Sequence, residues 1–243
     1  MPWFLYLFGV VFFLWVQRFR PVSKKSLGAL ILTGSLGNTS FVGFPLLEAL
    51  YGTSAISTGI LVDQPGTFLV AGTLGILTAS IFSSQTPSLK IIVQKVFLFP
   101  PFQAVLLSVF LRPIHFSPDF ENILEKLAAT LIPLSLVSVG FQLKFDREHI
   151  RRDWRLLVYG LGFKMILAPL LFSFLAIVCL KSHSREAEIV LVESAMAPMI
   201  TAGIIATEYG LDAELASLMI GVGIPLSLIT VPLWSHCISL WWS

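Results

Sequence analysis

Four ionisable residues stand inside long apolar stretches of this sequence: Glu48, Asp63, Lys164 and Glu193. A charge at the centre of a membrane helix costs at least about 2.5 kcal/mol, so each is a candidate for function. Asp63, beside Gln64 and Pro65, is expected to load a proton or bind sodium, as a desolvated carboxylate can; the alternative is a packing role in an unwound turn. Glu193 stands five residues before Pro198 and is expected either in the same polar region or as an interfacial acid at a helix entrance. Lys164 has the chemistry of a counter-charge for a substrate carboxylate, or of a clamp on Asp63 or Glu193 in the empty state. It could equally snorkel toward the cytoplasmic end of its helix. Glu48 is expected to cap a nearby helix N-terminus through the dipole. No cofactor is expected, and the coupling species these groups suit are H+ or Na+.

Two proline-marked polar stretches must position these charges. The first is Gly37-Asn38-Thr39-Ser40-Phe41-Val42-Gly43-Phe44-Pro45, and the second runs from Glu193 through Pro198 and Met199 to Thr201 and Gly203. Proline donates no backbone hydrogen bond, and unsatisfied backbone survives at membrane depth only beside protein or a cavity. Both stretches are therefore expected to break their helices, with Pro45 and Pro198 starting half-helices whose free N–H groups attract an anion. A carboxylate there would meet the amide of Asn38, the hydroxyls of Thr39, Ser40 and Thr201, and Met199 beside the second proline. Each stretch is followed by a matching turn, Tyr51-Gly52 and Tyr209-Gly210, and the turns fall on opposite sides of the membrane. That is the pattern of an inverted-topology repeat.

The elements that carry these stretches account for the whole composition. The 243 residues are 56% hydrophobic and 12% charged, with a mean hydropathy of +0.85. A water-soluble globule is excluded, since soluble domains are about 25% charged. The net charge of +2 points to no nucleic-acid partner, and two cysteines make neither a disulfide framework nor a metal cluster. Eight segments are apolar enough to cross a bilayer: Trp3 to Val16, Leu27 to Tyr51, Ala55 to Phe82, Ile91 to Leu111, Ile123 to Leu143, Leu156 to Leu180, Ile189 to Thr207 and Leu215 to Trp241. The chain reads as a multi-pass integral protein of the cell (plasma or inner) membrane. Residues 1–243 form a single membrane transport domain, in which 1–82 are a partial first repeat and 91–243 a second. The first span carries its basic flank after its apolar run, the reverse of a signal peptide.

Alternate connections hold Arg18, Arg20, Lys24 and Lys25, then Lys90 and Lys95, then Lys144 and Arg147 to Arg155, so these are expected in the cytoplasm and both termini outside. The acidic turn Glu208 to Glu214 disobeys that rule. No histidine is placed to pair with Ser35 or Ser40 in a span, so a membrane hydrolase lacks its base and no enzymatic activity is expected.

Asn38 to Leu47 followed by Tyr51-Gly52 resembles the fourth-helix signature of the auxin efflux carrier family of permeases. Ile132 to Leu143 resembles that family's seventh helix, Phe163-Lys164 with Ala168-Pro169-Leu170 its eighth, and Ala195 to Trp234 its ninth and tenth. The resemblance implies an all-α inverted five-plus-five fold like that of bile-acid symporters and sodium/proton antiporters. In that fold two broken helices cross at their prolines. It also implies secondary active transport, as an efflux permease for small organic anions, with Asn38 as the crossover asparagine and Pro45 and Pro198 as the crossing prolines. Three departures stand out. The first two helices of the ten-helix pattern have no counterpart, for which a late start, a remnant or a partner supplying two helices each account. Glu48 replaces an aliphatic residue, and Thr201 stands near an asparagine position. The competing reading is a truncated, non-transporting or regulatory member of the family. The expected partners are the lipid bilayer, a small carboxylate and a second copy or helix-supplying partner.

Overall fold

The computed structural model describes residues 1–83, 90, 93–94, 97–98, 100–114, 116–142, 147–176 and 184–242. Among these the chain is helical, and the strand-like pairing consists of one antiparallel bridge, Gly37 with Pro198. The first helix, α1 (Pro2–Phe19), is followed by a polar turn and α2 (Lys24–Ser35). Ser23 caps α2, its Oγ accepting from the Ser26 N–H at 3.0 Å. After an unwound segment comes α3 (Gly43–Tyr51), then α4 (Ala55–Val62). The same rod continues through π-helical turns at Asp63–Phe68 and Ala71–Gly75 into α5 (Ile76–Phe82). Next are α6 (Pro100–Leu111), α7 (Pro118–Ala128) and α8 (Leu131–Gln142).

The second half holds α9 (Arg147–Gly162), a π-helical turn at Phe163–Leu167 and α10 (Ala168–Leu175). It closes with α11 (Arg185–Ser194), α12 (Ile200–Glu208) and the 30-residue α13 (Ala213–Trp242). Four continuous helical runs among the described residues are long and apolar enough to cross a membrane: Pro2–Phe19, Ala55–Phe82, Glu148–Leu175 and Ala213–Trp241.

The expected break between Leu27 and Tyr51 is present between α2 and α3, and the break between Ile189 and Thr207 is present between α11 and α12. The expected span Ile123 to Leu143 differs. Two helices stand in its place, α7 starting earlier at Pro118 and α8 following Thr130. Pro133 cannot donate to the carbonyl four residues back, and Thr130 closes a tighter turn instead, its N–H and Oγ both bonding to the Leu127 carbonyl at 3.1 and 2.7 Å. Ile91, Lys95, Lys144 and residues 177–183, with Cys179 and Lys181, lie outside the described residues, as does His115.

The core is built around α2, nine of whose twelve residues are buried. It packs against α1, α5, α9, α12 and α13. Lipid removes the hydrophobic drive between helices, so small residues set the approach. A Cβ at Gly34 would lie 2.4 Å from the Phe13 ring. Leu30, Ile31, Leu32, Phe13, Phe163 and Met219 belong to this cluster, while Leu47, Ile189, Val192, Met196 and Val231 form a second one on the α3 and α11 side. The crossing of the broken helices lies between the two. The outer faces carry Leu7, Val11, Leu61, Phe174, Leu228 and Ile229, all exposed, as lipid contact requires.

Candidate functional site

The two unwound segments meet as a short antiparallel pair. The Asn38 N–H donates to the Ala197 carbonyl at 2.7 Å, and the Met199 N–H donates to the Leu36 carbonyl at 3.0 Å. Gly37 and Pro198 face each other between these bonds, in the slot of an antiparallel pair that requires no N–H. Proline fits that slot without leaving a donor unpaired. Pro198 thus belongs to the bridge and not, as expected, to the start of a half-helix: Met199 is the N-cap of α12 and Ile200 its first residue. Pro45 is the third residue of α3.

The N–H groups that open α3 are also unlike the expectation. Those of Gly43 and Phe44 donate to the carbonyls of Asn38 and Ser40 at 3.0 Å each, and the Val42 N–H donates to Asn38 Oδ1 at 3.4 Å. The unwound segment folds back and consumes them, so they are not free for an anion. On α12 the Ala202 N–H bonds to the Met199 carbonyl at 3.1 Å, while the N–H groups of Ile200 and Thr201 make no hydrogen bond among the described residues. The Asn38 Nδ2 is likewise buried without a partner.

Three charges surround this bridge, each nearly removed from solvent: Asp63 at 3% exposure, Lys164 at 2% and Glu193 at 0%. Asp63 opens the first π-helical turn and Lys164 lies in the third, where the widened backbone aims a side chain off the regular helical stripe. Thr39 Oγ1 donates to Asp63 Oδ1 at 2.6 Å and Gln64 Nε2 to Oδ2 at 2.8 Å, with the Ser40 hydroxyl also engaging the carboxylate. Lys164 Nζ donates to the Ser194 carbonyl at 3.2 Å, so it does not snorkel away. Glu193 interacts electrostatically with both Lys164 and Asp63, yet neither of its oxygens accepts a hydrogen bond among the described residues.

The structure therefore brings Asn38, Thr39, Ser40, Asp63, Gln64, Lys164, Glu193, Pro198 and Met199 to one crossing. Thr201, half-buried on α12, and Pro45, half-buried on α3, flank it. Glu48 is the sixth residue of α3, more than a turn from the N-terminus it was expected to cap. Sequence reasoning missed Gly37, Gly43 and Gly223, whose absent side chains admit Lys164, Glu193 and Pro198. It also missed the Ser194 carbonyl, because an ordinary backbone acceptor carries no sequence signal.

Residues 2–235 match the family described as membrane transport protein. The chain belongs to that family, which is the auxin efflux carrier group its motifs resemble. Among family members, an uncharacterised transporter of Methanothermobacter thermautotrophicus is 28% identical over 229 residues, covering 93% of this chain and 73% of the relative. An uncharacterised transporter of Methanocaldococcus jannaschii is 26% identical over 232 residues, with the same 93% and 73% coverage. This member of the membrane transport protein family is an integral, multi-pass protein whose environment is the lipid bilayer. Both relatives are described as transporters.

The acidic turn that departs from the positive-inside pattern has a local explanation. Glu214 receives Arg152 at 2.9 Å and lies 3.2 Å from His149 Nε2, while Asp212 accepts from Ser26 Oγ at 2.6 Å. Glu214 is thus matched by two bases of α9, and Asp212 by a hydroxyl of α2.

Proposed function

We propose that this protein is a secondary transporter of small carboxylates, working by alternating access at the crossing of the two broken helices. The observation that carries this reading is the hydrogen-bonded pairing of the unwound segments around Gly37 and Pro198, with an unpartnered amide on Asn38 and two unpaired N–H groups at the start of α12. Donors held open at membrane depth suit a carboxylate better than any neutral ligand, because each would otherwise remain a buried orphan. Asn38, Thr39, Ser40, Pro45, Pro198, Met199 and Thr201 form the substrate site in this proposal. The eight spans fold as an inverted repeat with both termini outside, and the Tyr-Gly turns after α3 and α12 are its corresponding ends.

Asp63 with Gln64, and Glu193, are the coupling groups, and Lys164 is the counter-charge. When all three charges are ionised the crossing carries one net negative charge, which repels an incoming anion. Loading one proton on Asp63 or Glu193 removes that repulsion, so carboxylate binding strengthens as pH falls. Movement of a proton together with the carboxylate follows from alternate exposure of the loaded and unloaded states.

The test is thermal stability of the purified chain across a panel of mono- and dicarboxylates at two pH values. A ligand that binds only the native state raises its stability by mass action. One acid is expected to raise Tm, more at the lower pH, and Asn38→Ala is expected to weaken that binding by about tenfold, the worth of one hydrogen bond to a charged group. A folded protein that responds to no acid, or an unchanged response in Asn38→Ala, would overturn the site.

A further inference from the structure

Four helix ends meet at the crossing, beside the buried charges Lys164 and Glu193. α2 and α11 finish there at Ser35 and Ser194, presenting carbonyl ends, where the helix dipole is negative. Lys164 Nζ bonds to the Ser194 carbonyl at 3.2 Å, and a Cβ on Gly37, just past the end of α2, would lie 3.0 Å from the same nitrogen. One ammonium thus sits against both unwound segments. Glu193, next to Ser194 at the end of α11, brings its carboxylate to the start of α3. A Cβ on Gly43, the first residue of α3, would lie 3.0 Å from each of its carboxylate oxygens. Beside these groups is a cavity of about 10 Å³, the room of one water molecule, whose lining includes Ser35, Thr39, Thr67, Lys164 and Glu193.

We propose that Lys164 is a tethered monovalent cation that fills the cation position of the crossing, so that the protein takes up no sodium there. Its removal uncovers a site for a free cation of the ammonium class. Burial holds the ammonium in one place, and Gly37 keeps the backbone close enough to cradle it. Glu193 accepts no hydrogen bond among the described residues, and Lys164, which lines the same cavity, is the cation whose charge acts on it. A carboxylate left without its buried partner is strongly destabilising. Truncating the lysine to alanine removes the charge and also vacates the space of three of its four stem carbons, which together with the adjoining cavity admits a small alkylammonium. The inference deepens the transporter reading by denying sodium a role in coupling, but its readout requires no substrate and no transport.

The experiment measures Tm of the purified full chain at equal ionic strength in choline, sodium, ammonium and propylammonium chloride, for wild type, Lys164→Ala, Lys164→Met and Lys164→Ala with Glu193→Gln. Wild type is expected to melt at the same temperature in all four salts. Lys164→Ala in choline is expected to lose about 10 °C and to recover at least half of it, dose-dependently, in ammonium or propylammonium. Lys164→Met fills that space without charge, so it loses stability and does not recover. The double variant no longer responds to ammonium ions, because the carboxylate that held them is gone. A sodium-specific rise in wild type, a Lys164→Met as stable as wild type, or a Lys164→Ala that choline restores as well as ammonium would each overturn the proposal. If Lys164→Ala does not fold, wild type and Lys164→Met still decide it.

Discussion

Asp63 is held by three side chains from its own turn and the first unwound segment, and its charge is the feature of it that matters for coupling. Asp63→Asn keeps an acceptor for Thr39 Oγ1 but removes the negative charge. The expected outcome is folded protein whose carboxylate binding is flat with pH, read by the same melting titration at two pH values. A pH dependence equal to wild type would move the coupling role to Glu193 alone. Gly223 acts by steric means. A Cβ there would stand 2.5 Å from Pro198 Cδ and 3.0 Å from Leu161 Cδ2, and a proline ring in a hydrogen-bonded bridge has no rotamer to yield. Gly223→Ala is expected to cost about 1–3 kcal/mol, the range for overpacking a tight interior, seen as a lowered melting temperature in detergent. The charged residues were legible as apolar-stretch exceptions, whereas Gly37, Gly43 and Gly223 were not. A glycine's role depends on what approaches it, and the approaching atoms come from helices distant in sequence.

The broken helices are each followed by a positive-φ glycine at corresponding places, with different hydrogen bonding at the two ends. α3 stops at Gly52, with φ of 80°, and α12 stops before Gly210, with φ of 64°. At the second, the Leu211 N–H returns to the Ala206 carbonyl at 2.9 Å and the Gly210 N–H to Thr207 at 3.1 Å, the paired bonds of a Schellman motif. Left-handed backbone costs a side-chain-bearing residue about 1–2 kcal/mol. Gly52→Ala and Gly210→Ala are each expected to lower stability by that amount in a thermal melt, although neither position has any atom within 4 Å of the added Cβ. Equal stability in both would show that the turns are not specified by backbone conformation. The two breaks were readable because proline and clustered polar residues stand out in an apolar run. The split between α7 and α8 was not read, since a proline in a continuous apolar stretch leaves kink and break undistinguished until the capping bonds at Thr130 are known.

The whole molecule encloses a polar crossing within an apolar exterior, and its insertion can be tested without a substrate. In a Cys179→Ala, Cys237→Ala background, Ser243→Cys is expected to react with a membrane-impermeant maleimide in intact cells. Arg20→Cys, in the exposed turn between α1 and α2, is expected to react only after permeabilisation. The reverse pattern would invert the topology. Composition and the recurrence of long apolar runs were enough for a helical, multi-pass membrane protein, because the bilayer admits few ways to satisfy a backbone. The motifs around Asn38, Lys164 and Pro198 were enough for the family. Only the tertiary structure decided that Pro198 sits in a bridge slot, that the N–H groups of α3 are consumed by Asn38 and Ser40, and that Lys164 meets the Ser194 carbonyl while the Glu193 carboxylate reaches the start of α3. The bridge and the approach of Glu193 to Gly43 join segments more than a hundred residues apart, and no local pattern in a chain encodes which distant partner arrives.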